Sequence, residues 1–134
     1  MKKGRELFQE ASFTVQSSGD LRRSGKSIAT VKIIGLNSSG PFIDAAEGVG
    51  PVDALSKALF KVIEMIYPGA QEVEVVDYRV DFLKGSGKGA AGAVRVKMTF
   101  RRNGKIHRST HQSVNVIEAS WKALLDGYAA MLNG

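Results

Sequence analysis

A chain of 134 residues, 43% apolar and 24% charged, is long enough for one hydrophobic core and is composed like an ordinary soluble globular protein. It has no cysteine, which excludes disulfides and thiolate metal sites and fits a reducing compartment. The net charge of +6 keeps a polyanionic partner open, but the lysines and arginines are scattered over turns and strand faces, so nucleic acid is the alternative reading.

The first residues, MKKGRELFQEASF, have two lysines with no apolar run behind them, so no secretory signal is read. No stretch approaches the roughly 20 apolar residues of a membrane span. A cytosolic protein is expected, with no membrane partner. Short strands are read around Phe13-Thr14-Val15 and Thr30-Val31-Lys32-Ile33. A helix starts at Pro51, whose fixed φ and missing amide suit the first helical position. Val52, Leu55, Leu59, Val62, Ile63 and Ile66 form its apolar stripe, and Tyr67-Pro68-Gly69 ends it. Val76, Tyr78, Val80 and Phe82 then alternate with Asp77, Arg79 and Asp81, which predicts a strand with one wet face. After the loop LKGSGKGAAG, Val94, Val96, Met98 and Phe100 alternate with Arg95, Lys97 and Thr99 in a second such strand. Asn103-Gly104 is a hairpin turn signal, and the more polar Lys105 to Ser113 reads as a third strand near an edge. Asn115 is placed to cap a second helix, with Glu118 as its capping-box partner. Ile117, Trp121, Leu124, Tyr128 and Met131 line one face of that helix.

The chain repeats itself. VGPVDALSKAL at 49–59 returns as VNVIEASWKAL at 114–124, 65 residues on, and Phe13-Thr14-Val15 falls on Tyr78-Arg79-Val80 at the same offset. The repeats run from about 7 to 66 and from about 72 to 131, too long and too few for a solenoid. The predicted fold is therefore α+β, a duplicated βββα unit (βββα-βββα) occupying 1–134 as a single domain.

Four motifs in order, GVGPVDAL, DYRVDFL before a Gly/Ala-rich loop, VRVKMTF and NVIEASWKALLDGY, resemble the C-terminal regulatory domain of the 2-isopropylmalate synthase family, which includes citramalate synthase. The pattern formed by Ser113, Asn115, Ile117 to Trp121, Ala123, Leu124 and Asp126 is closer to the citramalate branch. The resemblance implies a homodimer that binds a branched-chain amino acid, leucine or isoleucine, as feedback effector. It also implies a separate catalytic domain as partner, a TIM barrel of about 250 residues that condenses an acyl-CoA with a 2-oxo acid. That barrel is absent from this sequence, and no cofactor or catalytic residue is expected in it.

An amino-acid effector needs amide donors for its carboxylate, an acceptor for its ammonium group and an apolar wall. Helix starts supply unpaired amides and the positive end of the dipole. The start at Gly48-Val49-Gly50-Pro51, with Val52 and Asp53, and the start at Ser113 to Val116, with Asn115, are the candidates. Gly48 and Gly50 are read as points of close backbone approach, and Asp53 as the ammonium acceptor. By motif position the resemblance assigns effector contacts to Val52, Asp53, Val75, Tyr78 and Phe82, with Ala91 in the small-residue stretch beside them. The competing readings are that Asp53 only favours its helix dipole and that Tyr78 and Phe82 are core aromatics.

Other constellations carry no chemistry. KGSGKGA lacks the glycine spacing and the hydroxyl residue of a phosphate loop. His107 and His111 lie about 13 Å apart on a strand, too far for one ion. Asp77 and Asp81 alternate onto a solvated face. Two rivals remain beside the sensor: a nucleic-acid binder, and a dimerisation module without an effector.

Overall fold

The structure, a computed structural model, describes residues 7–20, 23–36, 40–83 and 92–133. The KGSGKGA loop and Ala91 lie outside the described residues. The chain divides into two compact units, Met1–Gln71 and Glu72–Gly134, and each is a βββα unit.

The first unit contains β1 (Phe8–Asp20), β2 (Arg23–Gly35), β3 (Phe42–Gly48) and α1 (Pro51–Ile66), in an antiparallel sheet of order β1-β2-β3. Ala29, Val31 and Ile33 alternate inward along β2 and are wholly buried against α1, which buries Ala54, Leu55, Ala58, Leu59, Val62 and Ile63. The three-to-four-residue spacing of that list is the predicted stripe, and each such side chain contributes about 1.5–3 kcal/mol of burial where it is large. As expected, the helix stops before Pro68, where a short 3-10 turn, Pro68–Glu72, takes over. Tyr67 anchors the start of β1: its hydroxyl donates to the Leu7 carbonyl at 2.6 Å, and its ring meets Phe8 edge-on at 6.3 Å.

The second unit contains β4 (Glu74–Phe82), β5 (Val94–Arg102), β6 (Lys105–Ser113) and α2 (Val116–Asn133), with sheet order β4-β5-β6. Asn103 and Gly104 make the β5–β6 turn at φ 50° and 82°, left-handed values that an Asn-Gly pair tolerates. Val94, Val96, Met98 and Phe100 are buried beneath α2, and β6 is an edge strand, as read.

Two features depart from the simple pattern. A bulge between Val75 and Asp77 takes Val76 out of the pairing, so Val75, not Val76, stands opposite Phe100. The inward row of β4 is therefore Val75, Tyr78, Val80 and Phe82, opposite Phe100, Met98, Val96 and Val94. The second departure is in coverage. α2 packs on β5 and β6 and leaves β4 at its margin, so every residue of β4 is exposed. The two sheets also differ in register by two residues: Phe13 faces Val31, but Tyr78, its counterpart, faces Met98 and not Val96. An even slip keeps each side chain on its own face, so both units retain an apolar inner side.

Candidate functional site

At the start of α1, Gly50 is extended (φ −155°, ψ 174°), and its carbonyl accepts the Ala54 amide at 3.0 Å, which begins the helix. No side chain caps this end, and Pro51 has no amide. The Val52 and Asp53 amides meet no acceptor among the described residues. They are the unpaired donors that a helix start leaves over.

Asp53 folds back across this start. Its Oδ2 accepts the Val49 amide at 3.0 Å and meets Lys57 Nζ at 3.1 Å. The Val49 hydrogen bond, and after it Lys57, hold its carboxyl below the usual carboxylate range, so it is a fixed negative charge at neutral pH. Gly48 has a different role from the one read in the sequence. A Cβ there would collide with the Ala54 backbone, so its close approach is to its own helix. Gly50 faces open space. Val49, beside it, is 86% exposed.

The start of α2 is closed. Asn115 Oδ1 accepts the Ile117 and Glu118 amides at 2.9 and 3.2 Å, so the cap is the one expected. The capping box is not completed by Glu118, because the Asn115 amide goes to Ser113 Oγ at 3.0 Å. With its carbonyl oxygen committed to the helix, Asn115 leaves these two amides no spare capacity for a ligand carboxylate.

On β4 the aromatics are not core residues. Tyr78 is 40% exposed and Phe82 is 85% exposed. The Tyr78 hydroxyl lies 2.9 Å from Ser120 Oγ, itself fully buried in α2, so a hydrogen bond ties this exposed ring to the helix. Val75 at 38% and Val80 at 36% complete a solvent-facing apolar row.

The candidate residues thus fall into three groups: Gly50, Val52 and Asp53 at the α1 start, Val75, Tyr78 and Phe82 on β4, and Asn115 at the α2 start. The sequence reading missed a polar cluster within the second unit. His107 Nε2 and Ser109 Oγ both reach Asp126 Oδ2, at 3.1 and 2.9 Å, and Ser109 also donates to the Ala123 carbonyl at 2.8 Å. The carboxylate stands between imidazole and hydroxyl, so the histidine is not hydrogen-bonded to the serine as a base must be to a nucleophile. The cluster ties β6 to α2. The alternation of β6, which puts residues 107 and 109 on one face, was the available signal.

The duplicated βββα fold thus presents two distinct features, an open helix start in the first unit and an uncovered apolar strand in the second. The chain belongs to the LeuA allosteric (dimerisation) domain family, whose pattern it matches over residues 1–132. It is 41% identical over 100 residues to the (R)-citramalate synthase of Sulfolobus acidocaldarius, covering 75% of this chain and 18% of that enzyme. It is 42% identical over 82 residues to the (R)-citramalate synthase of Geobacter sulfurreducens, 61% of this chain and 15% of the enzyme. The 2-isopropylmalate synthase of Pseudoalteromonas atlantica is 33% identical over 106 residues, 76% of this chain and 18% of the enzyme. The chain thus spans under a fifth of each of these three relatives.

Proposed function

We propose that this chain is an amino-acid-responsive regulatory module that pairs with a second copy and, joined to or acting on a condensing acyltransferase, conveys end-product inhibition by isoleucine or leucine. The observation that carries this reading is the start of α1. Two unpartnered amides, Val52 and Asp53, stand beside a carboxylate held ionised. The amides suit the carboxylate of a free amino acid, and Asp53 suits its ammonium group. Val49 and Val52 offer apolar surface to a branched side chain. In the second unit, Val75, Tyr78 and Phe82 are where the same reading places effector contacts. Asn115 drops out as a direct ligand and stays as a cap.

The family resemblance pairs isoleucine with citramalate synthases and leucine with 2-isopropylmalate synthases, and enzymes of both names are among the relatives, so both amino acids are candidates for the effector. Regulation in this scheme requires that the effector bind one state of the assembly better than the other, with a coupling of about 1–3 kcal/mol. Thermal unfolding against the twenty amino acids tests the binding step. At 100 times its dissociation constant a ligand adds about 2.7 kcal/mol, or several degrees for a domain of this size. A shift with isoleucine or leucine is expected. No shift with any amino acid would leave a dimerisation module without an effector.

A further inference from the structure

The uncovered strand β4 has a sequence that is complementary to itself. Tyr78-Arg79-Val80-Asp81-Phe82 reads aromatic, cation, apolar, anion, aromatic. Laid antiparallel against a second copy about a two-fold axis through Val80, it sets Arg79 opposite the other Asp81, Tyr78 opposite the other Phe82, and Val80 opposite itself. From this we propose that two chains join edge to edge through residues 78–82 of β4, extending the two three-stranded sheets into one continuous sheet across the dimer. This inference rests on the pairing stated under the proposed function and names its surface.

Several observations support a second copy as the occupant. The outer edge of β4 has no strand beside it among the described residues, and an unpaired edge is a template for a further strand. Its inward row, Tyr78, Val80 and Phe82, is left open by α2, with Phe82 85% exposed. A solvated aromatic of that size at a sheet edge gains from a cross-strand aromatic neighbour. Asp81 meets no cation among the described residues, and Arg79 has only a solvent-exposed contact with Asp77 at 3.4 Å. Both are therefore available to a partner strand.

Charge selects the register. Centring the axis on Arg79 would oppose the two arginines and set each Asp77 against the other Asp81, three like-charge pairs side by side. Centring it on Tyr78 pairs Asp77 with Arg79 but runs Val80 into the bulge at Val75–Asp77, where the edge loses its regular spacing. Only the Val80-centred register gives opposite charges and matched aromatics within the regular segment. An isologous contact requires this reciprocity, since whatever one copy offers it must also receive. The first unit lacks the pattern. The counterparts of the five residues are Phe13, Thr14, Val15, Gln16 and Ser17, with no charge and one aromatic.

The test is a charge-reversal series on the full chain, followed by sedimentation velocity over a dilution series. Arg79→Asp makes both charged positions acidic, and Asp81→Arg makes both basic. Both side chains are exposed, so folding is untouched, as far-ultraviolet circular dichroism will verify. Each single variant should raise the dimer dissociation constant on the order of a hundredfold, because two attractive pairs become two repulsive ones. An equimolar mixture of the two variants should recover wild-type affinity as a heterodimer, as should the double variant Arg79→Asp/Asp81→Arg alone. Reversals that leave a wild-type dimer intact, or a mixture that stays monomeric, would overturn the β4 pairing while leaving dimerisation standing. A monomeric wild-type chain at every concentration would overturn both.

Discussion

Gly127 lies in the middle of α2, where replacing it by alanine raises helix propensity by about 1 kcal/mol. Yet a Cβ at that position would land within the ring of Phe100, which is wholly buried and meets Tyr128 edge-on at 5.8 Å. Packing wins over propensity. Gly127→Ala should lose about 1–3 kcal/mol by overpacking, a fall of several degrees in Tm measured by circular dichroism. A rise in Tm would show that the ring yields. At this scale the sequence was readable for caps and charges but not for partners. Asn115 could be assigned as a cap because the backbone amides that donate to it are only two and three residues away. Tyr78 with Ser120, and His107 with Asp126, depend on which face of a strand meets which turn of a helix, and local spacing does not contain that. The Gly48 role was misjudged for a related reason: a glycine needed for close approach looks the same whether a ligand or the chain's own backbone approaches.

Among the elements, α2 shows most plainly how burial alters chemistry. Tyr128 is 3% exposed, and burial pushes its phenol from 10.0 up to about 12. A native state that holds its proton longer than the unfolded chain is fully stabilised below pH 10 and loses that advantage as the pH rises towards 12. Urea unfolding between pH 9 and 12 should thus show a loss of about 2 kcal/mol attributable to this group. Tyr128→Phe should remove that part of the decline, and an unchanged alkaline slope in the variant would show that the ring takes no part in it. The element boundaries were largely legible: Pro51, Tyr67-Pro68, Asn103-Gly104 and Asn115 all mark ends that the structure respects. The bulge at Val75 was not, because Val75 continues the alternation of Val73 while the adjacent Val76 continues that of Tyr78 and Val80, so either valine could face inward. Nor did alternation reveal that the inward face of β4 would lie beyond the reach of α2. A strand pattern states which side is apolar, and the helix position decides whether that side is covered.

Across the whole molecule, duplication preserved architecture while the chemistry of the two copies diverged. The repeat was visible at an offset of 65 because the helices kept their stripes, yet equivalent places now do different things. In the first unit the third strand is tied to the helix by Asp44 and Lys61, 3.7 Å apart, with Lys61 also donating to the Ala45 carbonyl at 2.8 Å. In the second, residue 126, the counterpart of Lys61, is an acid that takes His107 and Ser109 instead. One helix start is open beside a carboxylate, and the other is sealed by Asn115. One outer strand has a self-complementary run, and its counterpart in the first unit has none. This division of labour makes the α1 start the centre of the functional reading, and amide chemical shifts test it most directly. Titrating isoleucine, then leucine, into the nitrogen-15-labelled chain should move the Val52 and Asp53 amide resonances in a saturable way and leave the capped Ile117 and Glu118 amides nearly still. Saturable binding that perturbs Ile117 and Glu118 while leaving Val52 and Asp53 unmoved would contradict the assignment of the effector carboxylate to the first helix.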